Sequence, residues 1–386
     1  MVQLLHEDVP GLLHDPFKDW PNSDLLIDEE DQAYFTRHYP AFAPIFDWPE
    51  LRALFVVYDN TAARARKHSR RAGIFAVVAG FLSLTVAAGV PLAGALTKTD
   101  PHQSNLQALL GGIAASLALI SVLIGYTQVL TGKEKTRWLQ NRFWTERIRQ
   151  LHFQLIINNL PAVLAASQEA NALQHWLAFR TSKLDEFKHN YLREADDKIH
   201  HLELDEAEDS PWVEEAWEHP PPAPASSPEL DAILAIMERQ RFGIQQRYAD
   251  RKLRSGLRSP KTLAQWVLQL SDTFTAVLLL ATITAGVGSI LAYREIMSPV
   301  AHFIAALVAA IASAGIVALR ALKEGLLFSA DADRYRWYSA AVRTLLRRYE
   351  RASPPQKILL LRELEHAAYQ EMRRFILSGS QARFVM

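Results

Sequence analysis

The sequence predicts an all-α polytopic membrane protein: two transmembrane helical hairpins, four spans in all, with long cytoplasmic amphipathic helices. Three observations predict it. Four long stretches carry no charged residue: Ala72–Thr97, Gln103–Gly132, Thr273–Tyr293 and Ile296–Leu319. Basic residues crowd the outer ends of these stretches, while the acids gather elsewhere. The remainder has helical apolar periodicity and no alternating strand pattern longer than a few residues. Each charge-free stretch reaches or exceeds the ~20 apolar residues with which a helix crosses ~30 Å of hydrocarbon. Mean hydropathy is near zero only because a charged remainder dilutes them. A buried helix of a soluble protein rarely runs so far without a charge on some face.

The 386 residues balance 42 bases against 42 acids, but the charges are segregated. Residues 1–60 hold twelve acids and three bases, and residues 194–218 hold eleven acids and one base. The cations flank apolar stretches rather than forming the stripe that nucleic acid demands, which argues against a nucleic-acid partner. With no cysteine, disulfides, thiol catalysis and thiolate metal sites are excluded. The acidic, proline-punctuated start lacks a basic region leading into an apolar core, so the first span is expected to act as the insertion signal.

Along the chain, residues 1–50 read as an acidic arm, either ordered and extended or partly disordered, marked by Trp20, Pro21, Pro40, Pro44, Trp48 and Pro49. Residues 51–160 form the first hairpin with its entry and exit helices. A helix from about Glu50 passes through Arg64, Arg66, Lys67, Arg70 and Arg71 into the first span. After the second span, Lys133–Asn158 continues as a helix with Trp144, Ile148, Leu151 and Leu155 on one face. Residues 161–228 comprise one helix over Ala162–Leu202, with Leu173, Leu177, Leu184, Phe187 and Tyr191 at heptad spacing, then an acidic, proline-rich linker from Glu203 to Pro228. Residues 229–352 form the second hairpin. Its entry helix runs from Glu229 to Tyr248, and its exit helix presents Tyr335, Tyr338, Val342, Leu345 and Tyr349. Ser353-Pro354-Pro355 turns the chain, and residues 353–386 carry a last amphipathic helix burying Leu361, Leu364, Ala368, Met372 and Phe375.

Cations near span ends stay on the cytoplasmic side. Such clusters precede the first and third spans and follow the second and fourth, whereas the loops Lys98–Asn105 and Arg294–Pro299 are neutral. Both hairpins therefore read in–out–in, with both termini cytoplasmic. Tyr126, Trp138, Trp266 and Tyr293 stand at interface depth.

The halves share a plan of basic entry helix, hairpin and Trp/Tyr/Arg-rich exit helix. The entry helices Tyr58–Arg71 and Arg247–Arg258, the hairpins, and the exit pattern Trp138, Arg142, Glu146, Arg147 with Phe153 beyond resemble SLATT-type proteins, a family of two-span membrane effectors. The resemblance covers residues 55–160 and 240–380. It implies a bacterial inner-membrane protein that forms pores or perturbs the membrane in immunity systems run by nucleotide second messengers. The chain departs from a full effector in having no evident nucleotide-sensing domain. A cytosolic sensor or second-messenger partner would then supply the trigger, unless the cytoplasmic helices sense it themselves.

Candidate functional residues follow from polar groups at membrane depth. Asp272 lies in the third span, and Ser271, Thr275, Thr282 and Ser289 recur along one side of it, as a pore lining would require. The alternative places Asp272 at headgroup level, with hydroxyls bonded to their own helix. Ala305, Ala309 and Ser313 have the small-residue spacing of close helix packing, consistent with a homo-oligomer. Trp138, Arg142, Glu146 and Arg147 form a candidate cytoplasmic network. His189, His200 and His201 beside Glu203 and Asp205 match no closed tetrahedral metal spacing, so no metal and no cofactor are expected. No Walker loop, dinucleotide fingerprint, GxSxG or HExxH is present, and no catalytic residue is assigned. The reading is an oligomeric pore gated by cytoplasmic helices, in the lipid bilayer. Its rival is a non-conducting scaffold recruiting a cytosolic partner. A transporter would need matched breaks in both halves, and only Pro91 interrupts a span.

Overall fold

The computed structural model describes residues 23–96, 103–127, 133–191, 210–219, 221–254, 260–293, 299–382 and 384. His200, His201, Glu203, Asp205, the start of the acidic linker, residues 97–102 and 294–298, and the side chain of Ser289 lie outside them. Among the described residues the protein is all-α, with no strand. The helices are α1 (Glu29–His38), α2 (Ala43–Phe46), α3 (Pro49–Leu96), α4 (Gln103–Gly125), α5 (Lys133–Asn158), α6 (Leu160–Gln168), α7 (Ala170–Tyr191), α8 (Pro228–Met237), α9 (Ile244–Leu253), α10 (Pro260–Tyr293), α11 (Pro299–Leu326), α12 (Phe328–Glu350) and α13 (Pro354–Gln381). Among the described residues, four segments are long and apolar enough to cross a membrane: Pro49–Gly94, Asn105–Gly125, Thr262–Val287 and Phe303–Glu350. They fall in α3, α4, α10 and from α11 onward, where the charge-free stretches predict them.

The described residues form two compact units, each assembled from three separated parts of the chain. A helical unit draws on Met1–Tyr58, Trp144–Arg251 and Arg336–Met372; a span-bearing unit draws on Asp59–Phe143, Lys252–Tyr335 and Arg373–Met386.

The second half of α5 is the core of the helical unit. Trp144, Ile148, Leu151 and Leu155 are buried as their spacing predicts, but so are Phe153, Ile156 and Ile157 on other sides. Full burial of such side chains stabilises by roughly 1.5–3 kcal/mol each, and a helix surrounded on all faces needs no polar stripe. Up to Tyr191, where its described part ends, the stretch read as one helix over Ala162–Leu202 is two helices. Glu169, with φ −127° and ψ 129°, is extended backbone that separates α6 from α7. The buried side of α7 runs through Trp176, Arg180, Leu184 and Phe187, so Trp176 and Arg180 take the place expected for Leu177.

Residues 23–50 are folded, correcting the expectation of an extended arm over this part. Phe35 of α1, Ile45 and Phe46 of α2, and Trp48 in the short link to α3 are buried. Leu26 adopts a left-handed φ of 52°, a conformation costing a β-carbon-bearing residue roughly 1–2 kcal/mol. Its carbonyl accepts hydrogen bonds from Arg52 and Gln32, both at 3.1 Å, which hold it there. Ser210–His219, in the proline-rich linker, has only a single 3-10 turn at Glu215–Glu218. Its backbone is satisfied from outside. Arg147 donates to the Pro211 and Trp212 carbonyls at 3.0 and 2.9 Å, Gln154 donates to Pro211 and accepts from Val213, and Arg362 donates to Trp217 and Glu218. Buried irregular backbone requires such partners.

In the span-bearing unit the first hairpin is registered by two hydrogen bonds. Ser83 Oγ donates to the Ala114 carbonyl at 2.7 Å, and Ser121 Oγ donates to the Ala76 carbonyl at 2.8 Å. Moving forward on α3 moves backward on α4 by the same count, as antiparallel helices demand. Without a hydrophobic gradient, contacts like these and close packing hold spans together. Replacing Ser83 and Ser121 together by alanine is expected to destabilise the hairpin by about 1–2 kcal/mol. A lower midpoint for loss of helix on titrating the purified protein with dodecyl sulfate would show it; an unmoved midpoint would refute it.

In the second hairpin, Phe274, Leu278 and Ala281 of α10 meet α11, where Gly315 lets the Phe274 ring approach; a β-carbon at Gly315 would sit 3.0 Å from it. The first and fourth spans also meet, because Val77 of α3 packs with Ala318 and Ala321 of α11, joined by Phe81, Leu322 and Phe384. Burial confirms the order: 28% of the apolar window is buried in the first and fourth candidate spans but 6% in the second and third. The first and fourth are the inner pair, flanked by the second and third.

Candidate functional site

The third span lies at the margin of its unit, and its polar residues sit off the packing seam. Helical spacing puts Asp272, Thr275, Thr282 and Gly286, with Leu279 between them, on one stripe about a third of a turn from the Phe274–Leu278–Ala281 seam. All five are exposed, Ser271 is half-buried at the flank, and none of the described residues covers the stripe. Asp272 is the only carboxylate of Thr262–Val287 and has no ion-pair partner among the described residues. Thr275 donates to the Ser271 carbonyl at 2.8 Å and Thr282 to that of Leu278 at 2.7 Å. Their hydroxyl protons are thus satisfied within the helix, leaving oxygen lone pairs outward. On the fourth span, Ala305 is buried and Ala309 half-buried, but Ser313 is exposed and Ala312 occupies the buried position beside it.

A second cluster in the span-bearing unit stands where helices leave the apolar segments. Trp138 of α5 is buried, its ring meeting Phe375 of α13 edge-on at 5.3 Å. The guanidinium groups of Arg66 and Arg70 stand 5.7 and 5.8 Å from the Trp138 ring centre. Arg334 of α12 lies 4.8 Å from the rings of both Phe375 and Tyr335. Asp331 bridges the cations, 3.0 Å from Arg334 and 3.6 Å from Arg70. Lys135 donates to the Ser380 and Ala382 carbonyls, capping the end of α13, where the helix dipole favours a cation. Phe384 lies against Gly73 and Gly325, where any β-carbon would overlap its ring. This collar joins α3, α5, α12 and α13 by cation–π and ionic contacts at partly dry sites, each worth about 0.5–2 kcal/mol. Just ahead of it, Leu327 takes a left-handed φ of 54° between α11 and α12, a strained joint of the kind found at switch positions.

The predicted cytoplasmic network divides. Trp138 belongs to the collar, and Arg142 pairs with Asp59 at 3.5 Å. In the helical unit, Glu146 pairs with Arg149, while Arg147 donates to the Pro211 and Trp212 carbonyls and lies 5.3 Å from the Tyr369 ring.

Sequence reasoning missed the most buried charges of the helical unit. Arg241, in the π-helical segment Glu238–Gly243 between α8 and α9, is 1% exposed. Its Nε donates to Glu365 at 2.6 Å and its Nη1 lies 3.3 Å from Asp24. Arg149 approaches the same Asp24 carboxylate at 3.0 Å, Gln245 donates to it at 2.9 Å, and Tyr338 donates to Gln245 at 2.9 Å. Burial pushes the Glu365 carboxyl above its usual range, opposed by Arg241. A signal was present: Glu365 lies on the apolar stripe Ile358, Leu361, Ala368, Met372, and Arg241 follows Leu234 and Met237 at heptad spacing. A charge on an apolar stripe needs a buried partner. Among the described residues no group of three or more His, Asp or Glu is placed to hold a metal ion.

These features define an all-α protein with four helices able to span a membrane. No known family model, curated protein or solved structure matches the chain.

Proposed function

We propose that this is an oligomeric pore of ion-channel type in the bacterial inner (plasma) membrane, with both termini cytoplasmic and its helical unit controlling the pore. The observation that carries the reading is the uncovered stripe Asp272–Thr275–Thr282 on a flanking span. Four spans of one chain enclose no channel, so several copies would have to set their third spans around a common axis, making a ring of carboxylates at Asp272 and of hydroxyl oxygens beyond it. A carboxylate ring favours cations, and apolar positions such as Leu279 provide a constriction that closes by dewetting. Helices α5, α12 and α13 each contribute residues to both units, so a shift of the helical unit would load the collar and the strained Leu327 joint. The resemblance to SLATT-type effectors favours a role in nucleotide-signalled immunity, with a cytosolic sensor or second messenger as the trigger.

The test is reversal potential across a planar bilayer under a salt gradient. The wild type is expected to prefer cations, and Asp272→Asn to reduce that preference severalfold at similar insertion. Protein that resists carbonate extraction yet passes neither current nor dye under any lipid or ligand would sink the reading. The internal bonding of Thr275 and Thr282 favours a second reading, a non-conducting scaffold, because a stripe so satisfied needs no water. In that case Asp272→Asn changes nothing, and the helical unit retains a cytosolic partner in co-purification.

A further inference from the structure

We propose that the outward face of α3, formed by Arg64, Lys67, His68 and Arg71, is a binding surface for the headgroups of anionic phospholipids. The basic cluster before the first span has two faces with different work. Ala62, Ala65, Gly73, Ala76 and Val77 mark the buried side. On that side Arg66 and Arg70 are taken up by Trp138 and Asp331. Arg64, Lys67, His68 and Arg71 are exposed on the other side. Arg64 donates only to its own helix, at Asn60, and Lys67, His68 and Arg71 have no partner among the described residues. No acid occurs between Asp59 and Asp100 to neutralise them, and Asp59 is already paired with Arg142.

The same face continues into the span as exposed apolar side chains, Phe75, Val78 and Leu82, at 55%, 44% and 43% exposure. The steps from Arg64 through Lys67, Arg71, Phe75 and Val78 to Leu82 are each three or four residues, the spacing of one helical face. A lipid whose chains lie against Phe75 and Val78 therefore has its phosphate beside these cations. At 1.5 Å per residue, Arg71 and Lys67 stand ~6 and ~12 Å beyond Phe75, within or at the edge of the headgroup layer, and long basic side chains adjust along the normal to reach it. The occupant is a phospholipid rather than a soluble anion, because the chain-binding and phosphate-binding parts are collinear. The surface rests on the membrane-spanning reading but not on conduction.

The experiment uses full-length protein in detergent and counts bound phosphatidylglycerol against phosphatidylcholine by native mass spectrometry. The variant is Arg64→Gln/Lys67→Gln/Arg71→Gln, and Arg37→Gln/Arg347→Gln/Arg351→Gln is the charge-matched control. A basic side chain at an anionic surface contributes about fivefold in affinity, so the first triple variant is expected to lose at least tenfold of the preference for phosphatidylglycerol while the control keeps it. An unchanged preference in a variant that still resists carbonate extraction overturns the proposal, as does equal competition by glycerol 3-phosphate or inorganic phosphate. Wild type released by carbonate would instead overturn the spanning reading itself.

Discussion

Arg241→Ala is expected to destabilise the helical unit by about 3–5 kcal/mol, the cost of leaving buried carboxylates without their cation. Arg241 reaches both Glu365 and Asp24, and its guanidinium also lies 4.6 Å from the Phe153 ring. Its removal strands the fully buried Glu365 and leaves Asp24 to Arg149, which also serves Glu146. Thermal unfolding of the detergent-solubilised protein, followed by tryptophan fluorescence, would read the loss as a markedly lower melting temperature. Proteolysis between residues 23 and 50 would rise in parallel, since Asp24 is anchored there. Glu365→Gln is the matched variant: it keeps an acceptor for Arg241 and removes a charge that burial disfavours, so it should cost far less. Equal losses from Arg241→Ala and Glu365→Gln would show that the cluster is held by packing, not by charge.

Stability should fall by about 2 kcal/mol between pH 7 and pH 5 through His152 alone, at 1.36 kcal/mol per pH unit over the lower part of that window. His152 is buried among Phe46, Trp48 and Phe153, and neither ring nitrogen has a hydrogen-bond partner among the described residues. Burial, with Arg180 and Arg241 nearby, pushes its pKa from 6.5 down to about 3. The unfolded chain takes up a proton below about pH 6.5 and the folded chain only near pH 3, so the stabilisation is complete above 6.5 and lost as pH falls. His152→Phe keeps the aromatic contacts and removes two unsatisfied polar atoms, each of a kind costing about 1–3 kcal/mol when buried. It should raise the melting temperature at pH 5 and flatten the pH dependence between 7 and 5. An identical pH slope in wild type and His152→Phe would place the titrating group elsewhere.

Much of the architecture was legible because its causes are local. Charge-free runs of helical length recur as α3, α4, α10 and α11, and the stripe Tyr335, Tyr338, Val342, Leu345, Tyr349 is buried as its spacing requires. Pro354 starts a helix because its fixed φ suits the first turn. The break at Glu169 was not legible, since no glycine or proline marks it. The order of residues 23–50 was not either, because its stability comes from partners such as Arg149, Arg180 and Arg241, far away in sequence.

The candidate site divides in the same way. Helical spacing alone grouped Asp272, Thr275 and Thr282. That none of the described residues covers them, and that Ser313 faces away from the buried side while Ala312 does not, depended on which helix neighbours which. The basic cluster on α3 looked like one uniform collar until Trp138 and Asp331 were seen to engage two of its arginines.

The amino-acid order by itself determined helix content, the four greasy segments and the positions of their charged borders, because hydrocarbon length and helical period act on neighbouring residues. Tertiary structure alone decided the pairing of the first span with the fourth, the assembly of each unit from three separated parts of the chain and the buried Asp24–Arg241–Glu365 cluster. Such contacts join residues hundreds of positions apart, and only a buried charge's need for a partner hints at them in advance.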